Sequence, residues 1–147
     1  MQVQGSVNIN AAREKVWAFL TDPNAVGQCA PGLESLEVVT PGETFKAVAS
    51  VGFGSMKVRF TVDVKWTELD EPDHAQMKAH GTAPGSTVDA SSEMDLSDGD
   101  DGGTKLDWSA DINVQGTIAS LASRLMGSMT QRMTAEFFNC VKSQIEA

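Results

Sequence analysis

The sequence predicts an α+β domain, a curved seven-stranded antiparallel sheet wrapped around a long C-terminal helix, with two short helices after the first strand. Three observations carry this. Several stretches between Phe45 and Val114 alternate apolar and polar residues, the mark of an antiparallel sheet with one dry and one wet face. The segment from Thr117 to Glu146 instead gathers its apolar residues at helical spacing. The order of elements then sets one long amphipathic helix against one dry sheet face.

Taken along the chain, Met1 to Asn10 reads as a strand with Val3, Gly5, Val7 and Ile9 on one face. A short helix is expected over Ala11 to Thr21, with Asn10 as its N-cap and Ala12, Val16, Phe19 and Leu20 as its apolar stripe. Asp22-Pro23 breaks it, and a second helical turn runs to Cys29 before Ala30-Pro31-Gly32 stops it. Six strands follow, from about Leu33 to Gln115. Thr40-Pro41-Gly42-Glu43, Gly52-Phe53-Gly54, Glu71-Pro72-Asp73, Pro84-Gly85 and the glycine-aspartate run from Ser97 to Gly103 supply the turns. The last helix would extend about 45 Å, with Ile118, Ala122, Leu125, Met126, Met129, Met133, Phe137 and Cys140 in one arc of about 120°. One domain of 147 residues is long enough to bury a core without staples.

The dry face is informative for its side-chain sizes. Phe45, Ala47, Ala49, Val51 and Phe53 share it with Met56, Val58, Phe60, Val62, Val64 and Trp66. Ala75, Met77, Ala79, Gly81 and Ala83 continue it, then Val88, Ala90, Ser92, Met94 and Leu96, then Leu106, Trp108, Ala110, Ile112 and Val114. The charged residues fall on the opposite parity, so these runs turn no Asp, Glu, His or Lys inward. Small side chains on a dry face leave volume that something must fill, because interiors pack to near-crystal density. The pattern favours a container for an apolar molecule over an enzyme. Met126, Met129 and Met133 on the helix, with Met56, Met77 and Met94 on the sheet, suit a soft and variable apolar ligand, although each alone also fits ordinary core packing. Trp66 and Trp108 bring indole N–H groups that need a partner when buried, whether a ligand oxygen or a backbone carbonyl. The candidate contact set is Val51, Phe60, Val62, Trp66, Met77, Trp108 and Ala110 from the sheet, with Leu125, Met129, Met133 and Phe137 from the helix.

Twenty acidic against eleven basic residues give a net charge of −9, which argues against a nucleic-acid partner, since that needs basic patches. Cys29 and Cys140 are far apart and lack a Cys/His cluster, so free, inert thiols in a reducing cytoplasm are expected. No leader is visible, and no apolar run reaches the length that spans a bilayer.

The remaining chemical candidates have simpler readings. His74 and His80 are the only histidines, one at a turn and one on the wet face, with no partner set for a nucleophile or a metal. Asp98, Asp100 and Asp101 lack the spacing and closing Glu of a calcium loop. Gly52-Phe53-Gly54 lacks a phosphate cradle's third glycine and reads as a bend or a cavity rim. Glu136 lies at the edge of the helix arc, and a surface pair with Arg132 is its expected state. No catalytic residue and no metal site are assigned.

Particular residues resemble a known family. Val16-Trp17 followed by Asp22-Pro23, then Cys29-Ala30-Pro31-Gly32, Val51-Gly52 leading to Phe60, Gly81, the stretch from Trp108 to Ala119, and Phe137-Phe138 are similar to the carbon monoxide dehydrogenase G-subunit family. That family belongs to the START-like (SRPBCC) superfamily of helix-grip folds, and the resemblance covers nearly the whole chain. Ala30 departs from a larger aliphatic, and Leu121-Ala122-Ser123 departs from a segment that usually contains glycine. Longer members continue to an apolar tail that holds them at a membrane; ending at Ala147, this chain is expected to make at most peripheral, transient membrane contact. The resemblance implies an accessory of a molybdenum hydroxylase of the carbon monoxide dehydrogenase type, which the charge-free dry face makes noncatalytic and the cysteine pattern makes cytoplasmic in expectation. It would carry a hydrophobic small molecule, with a respiratory quinone or a lipid as candidates, and needs no certain cofactor. Two alternatives remain, a docking module that recruits the hydroxylase and a cyclase or hydrolase working in the cavity.

Overall fold

The structure, a computed structural model, describes residues 1–53 and 55–146. The side chains of Phe53, Met56, Asp101 and Met126 are not described, so the roles expected of them and of Gly54 lie outside the described residues.

The strands are β1 (Gln2–Ile9), β2 (Leu33–Thr40), β3 (Thr44–Phe53), β4 (Met56–Asp70), β5 (His74–Ala83), β6 (Ser86–Asp98) and β7 (Thr104–Gly116). The helices are α1 (Arg13–Leu20), α2 (Pro23–Val26) and α3 (Ala119–Ile145), with short 3-10 turns at Gly27–Cys29 and Asp100–Gly102. All seven strands form one antiparallel sheet in the order β1-β7-β6-β5-β4-β3-β2. This is the architecture the alternation predicts.

Register explains why the dry face is continuous. Phe45 pairs with Val64, Ala47 with Val62, Ala49 with Phe60 and Val51 with Val58. The same parity passes across Val62–Gly81, Gly81–Val88 and Val88–Val114. Because strand side chains alternate with period two, matching one apolar pair commits every other pair on the two strands. The long β4 carries one irregularity, where the register shifts between Trp66 and Glu68 and leaves Thr67 as an extra residue. Such a bulge bends and twists the strand, which helps the sheet curve around α3.

Turn chemistry sets the ends. Gly32 has φ +78°, and a Cβ there would lie 2.1 Å from the Ser50 carbonyl oxygen, so the Pro31-Gly32 turn can bring β2 this close to β3 only without a side chain. Asp22 caps α2 by accepting from the Asn24 amide at 3.0 Å, with Pro23 in the first helical turn.

Three expectations are corrected. Asn10 does not cap α1: the helix begins behind Ala12 with no side-chain cap, and the Asn10 amide donates to Glu146 Oε2 at 2.8 Å. Cys29 and Cys140 are not free thiols; they form a disulfide, with Cα atoms 5.4 Å apart. A separation of 111 residues hides this pairing, which arises because the fold sets the 3-10 turn at Gly27–Cys29 against α3. The Arg132–Glu136 pair is not among the described ion pairs, several of which run between strands, as in Arg59–Glu34 at 2.8 Å. Arg preceding Glu is the weaker helical orientation, and Arg132 and Glu136 are both exposed.

Candidate functional site

The core divides into two clusters. At one end Ile9, Val16, Trp17, Leu20, Ala75, Leu96 and Leu106 pack with Val141 and Ile145 of α3, and Trp66, Met94, Trp108 and Phe137 lie against them. At the other end Phe60 meets Ile118, Ala122 and Met129, flanked by Val51, Val62, Leu125 and Met133. Each cluster joins the sheet to a different stretch of α3.

Between them lies the middle of the dry face. One row of paired residues runs Trp66–Met77–Ser92–Ala110–Val3 across β4, β5, β6, β7 and β1. The next runs Val64–Ala79–Ala90–Ile112. Met77, Ala79, Ala90, Ser92, Ala110, Ile112 and Val3 are all half-buried and belong to neither cluster. Apolar side chains of the same parity are sealed at both ends of the sheet and left accessible at its centre. That central band is the candidate site, a floor of small and soft side chains facing the helix.

The eleven residues singled out by sequence therefore fall into three groups. Trp66, Met77 and Ala110 share the central row. Val51, Phe60, Val62, Leu125, Met129 and Met133 form one wall, with Phe60 and Met129 buried. Trp108 and Phe137 belong to the other wall, where Phe138 packs edge-on to Phe137 with centroids 5.0 Å apart.

A cleft of about 350 Å³ reaches Phe45 and Trp66 from outside, between the α1–α2 junction at Asp22 and Pro23 and the β2–β3 turn at Pro41 and Gly42. The sequence marks Phe45 and Trp66 as dry-face residues and Pro23, Pro41 and Gly42 only as turn-formers, and nothing in their spacing brings Pro23 near Pro41.

The described histidines lie away from the dry face. His80 Nδ1 is 2.6 Å from Asp89 Oδ1 on the wet face. His74 Nδ1 is 2.6 Å from Asp95 Oδ1, and its Nε2 is 3.7 Å from Glu68. The Asp95 hydrogen bond raises the His74 pKa above its ordinary value, and a hydrogen bond with Asp70 raises that of Glu68. Arg59, bonded through two nitrogens to Glu34, holds that carboxyl below the usual range. These groups tie strands together on the wet side. Glu136 is exposed, and among the described residues no cluster of His, Cys, Asp and Glu could hold a metal ion. Also among the described residues, no helix is long and apolar enough to cross a membrane.

Comparison with known proteins agrees with this geometry. The family model for the G-subunit of carbon monoxide dehydrogenase (CoxG) matches residues 5–146. A conserved protein of Geobacillus kaustophilus superposes with a TM-score of 0.90 at 25% identity, covering 99% of this chain and 95% of its own. The Zhui aromatase/cyclase of Streptomyces sp. R1128 reaches 0.75 at 19% identity, covering 99% and 93%. Ara h 8.0201 reaches 0.69 at 16% identity, covering 99% and 97%. The latter two show a shared helix-grip fold. No curated protein sequence matches the chain.

Proposed function

The chain belongs to the carbon monoxide dehydrogenase G-subunit (CoxG) family, and on that premise we propose that it is a noncatalytic carrier, holding an apolar molecule between the central dry face and α3. The observation that carries this reading is the accessible band between the two core clusters, where Met77, Ala79, Ala90, Ala110 and Ile112 are only half-buried. Exposed apolar surface inside a fold is costly, at roughly 25 cal/mol per Å², so an apolar occupant is stabilised there. In this reading the cargo is a respiratory quinone or a lipid. It is delivered to a molybdenum hydroxylase of the carbon monoxide dehydrogenase type.

One superfamily neighbour is an aromatase/cyclase by name, which makes catalysis the competing reading. General acid–base work needs an acid or base within reach of the substrate. The central band offers one hydroxyl, Ser92, and its alternation turns the carboxylates and His80 to the other face. That supports carriage over chemistry.

Native mass spectrometry of the freshly purified protein, followed by organic extraction, tests the proposal. A stoichiometric quinone or lipid is the expected result. An empty protein that also fails to take up quinone analogues would remove the carrier reading and leave a docking module for the hydroxylase in its place.

A further inference from the structure

The sheet turns three side-chain hydroxyls of its described residues toward α3, and they differ in what they meet. Thr104, paired with Ile9, is buried and donates to the Ala11 carbonyl at 2.6 Å. Ser86, paired with Ala83, is buried and lies 3.2 Å from the Thr117 hydroxyl. Both sit at strand ends and are satisfied by the protein. Ser92 lies in the middle of β6, in the central row between Met77 and Ala110, with Ala90 and Met94 as its same-face neighbours along the strand. Among the described residues its Oγ has no hydrogen-bond partner, and no fully buried side-chain oxygen or nitrogen is left unpaired, so this half-buried hydroxyl opens into accessible space.

Resting on the carrier reading above, we infer that Ser92 is the polar anchor of the site and that the cargo is an apolar molecule bearing an uncharged hydrogen-bonding oxygen, a carbonyl or a hydroxyl. The argument is one of accounting for polar atoms. When an apolar occupant displaces water from the band, an unpaired Ser92 hydroxyl loses its solvent partner, and a buried polar group without a partner is costly. A bare hydrocarbon therefore carries that penalty, whereas a ligand oxygen over β6 removes it. A serine hydroxyl both donates and accepts, so it serves a carbonyl or a hydroxyl equally. It does not match a carboxylate, for which the described central band has no positive group. A single polar atom on an apolar surface fixes a ligand's orientation. Ser92 thus sets which end of the cargo lies across β5–β7, with Trp66 at the end of the same row.

Anthracene and 9,10-anthraquinone share a ring frame and differ in two carbonyl oxygens, which makes them suitable probes, read through quenching of Trp66 and Trp108. The full chain should bind the quinone more tightly than the hydrocarbon. Ser92→Ala should weaken the quinone about tenfold, the scale of one net hydrogen bond, leave anthracene unchanged or tighter, and keep the thermal midpoint. Ser92→Thr, which retains the hydroxyl, should restore much of the preference. If both probes bind but Ser92→Ala shifts them equally, or shifts neither, the anchor assignment is wrong while the carrier reading stands. If neither probe binds the unaltered protein, the carrier reading fails and the anchor falls with it.

Discussion

The indole of Trp108 occupies the space that a side chain at Gly5 would need. The two residues pair directly across β1 and β7, and a Cβ on Gly5 would lie 2.9 Å from both Cζ2 and Nε1 of Trp108. An interior strand glycine commonly marks such a close approach. Here it lets one large ring cover the edge strand and reach Phe138, 6.4 Å away between centroids. Gly5→Val should force the ring off its position and destabilise the domain by about 1–3 kcal/mol, the usual cost of overpacking. Urea unfolding followed by tryptophan fluorescence checks this; a variant as stable as the parent would mean that the ring relaxes freely.

The Cys29–Cys140 bond closes a 111-residue separation, joining the turn after α2 to the C-terminal half of α3. α2 itself contributes no buried residue, while Cys29 is 5% exposed and packs in the core. Replacing both cysteines by serine should lower unfolding free energy by about 2–4 kcal/mol, chiefly by freeing the unfolded chain. Dithiothreitol should destabilise the parent by a similar amount and leave the double variant unmoved. Equal sensitivity in both proteins would show that the bond contributes nothing.

This pairing also shows where sequence reading stops. Period-two alternation placed Ala47, Val62, Gly81, Val88 and Val114 on one face, and the register joins them in that way, because parity is a local property of the chain. Which of those residues α3 covers is not local. Phe60 and Ala79 have the same parity, yet one is buried and the other half-open, a difference made by helix packing at long range. The Thr67 bulge, the cleft beside Pro23 and Pro41, and the disulfide share that character. Each depends on residues brought together only by the closed fold. Ser92 was visible on the dry face, but its lack of a partner could be seen only beside the satisfied Thr104 and Ser86.

The His74 cluster predicts a pH dependence of stability. Asp95 hydrogen-bonds the imidazole and raises its pKa above the ordinary value of 6.5, with Glu68 and Glu93 adding to the effect. A raised folded-state pKa means that the folded protein holds the proton more tightly than the unfolded one. The contribution is therefore complete below the unfolded value and is lost as pH rises through the folded value. Glu68, raised by its contact with Asp70, acts in the same direction at lower pH. The urea midpoint should fall as pH rises above the ordinary imidazole value of 6.5, and Asp95→Asn should flatten that fall. A profile unchanged by Asp95→Asn would remove His74 as its source.

Met129 offers the strongest discrimination between an open and a filled interior. It is 7% exposed and belongs to the cluster of Phe60, Ile118 and Ala122 that bounds the central band. Met129→Glu puts a carboxylate against the apolar wall formed by Phe60, Ile118 and Ala122. The charge must then be neutralised or hydrated, and either route draws water into the space an apolar ligand would fill. Binding of a quinone analogue should weaken by about a hundredfold, equivalent to roughly 2.7 kcal/mol. His80→Ala, on the wet face beside Asp89, should leave it intact. Circular dichroism on both variants separates lost binding from lost folding, and Met129→Ala, which removes bulk without adding charge, should keep the fold and retain binding. Equal loss in Met129→Glu and His80→Ala, with both variants folded, would place the ligand somewhere other than between the sheet and α3.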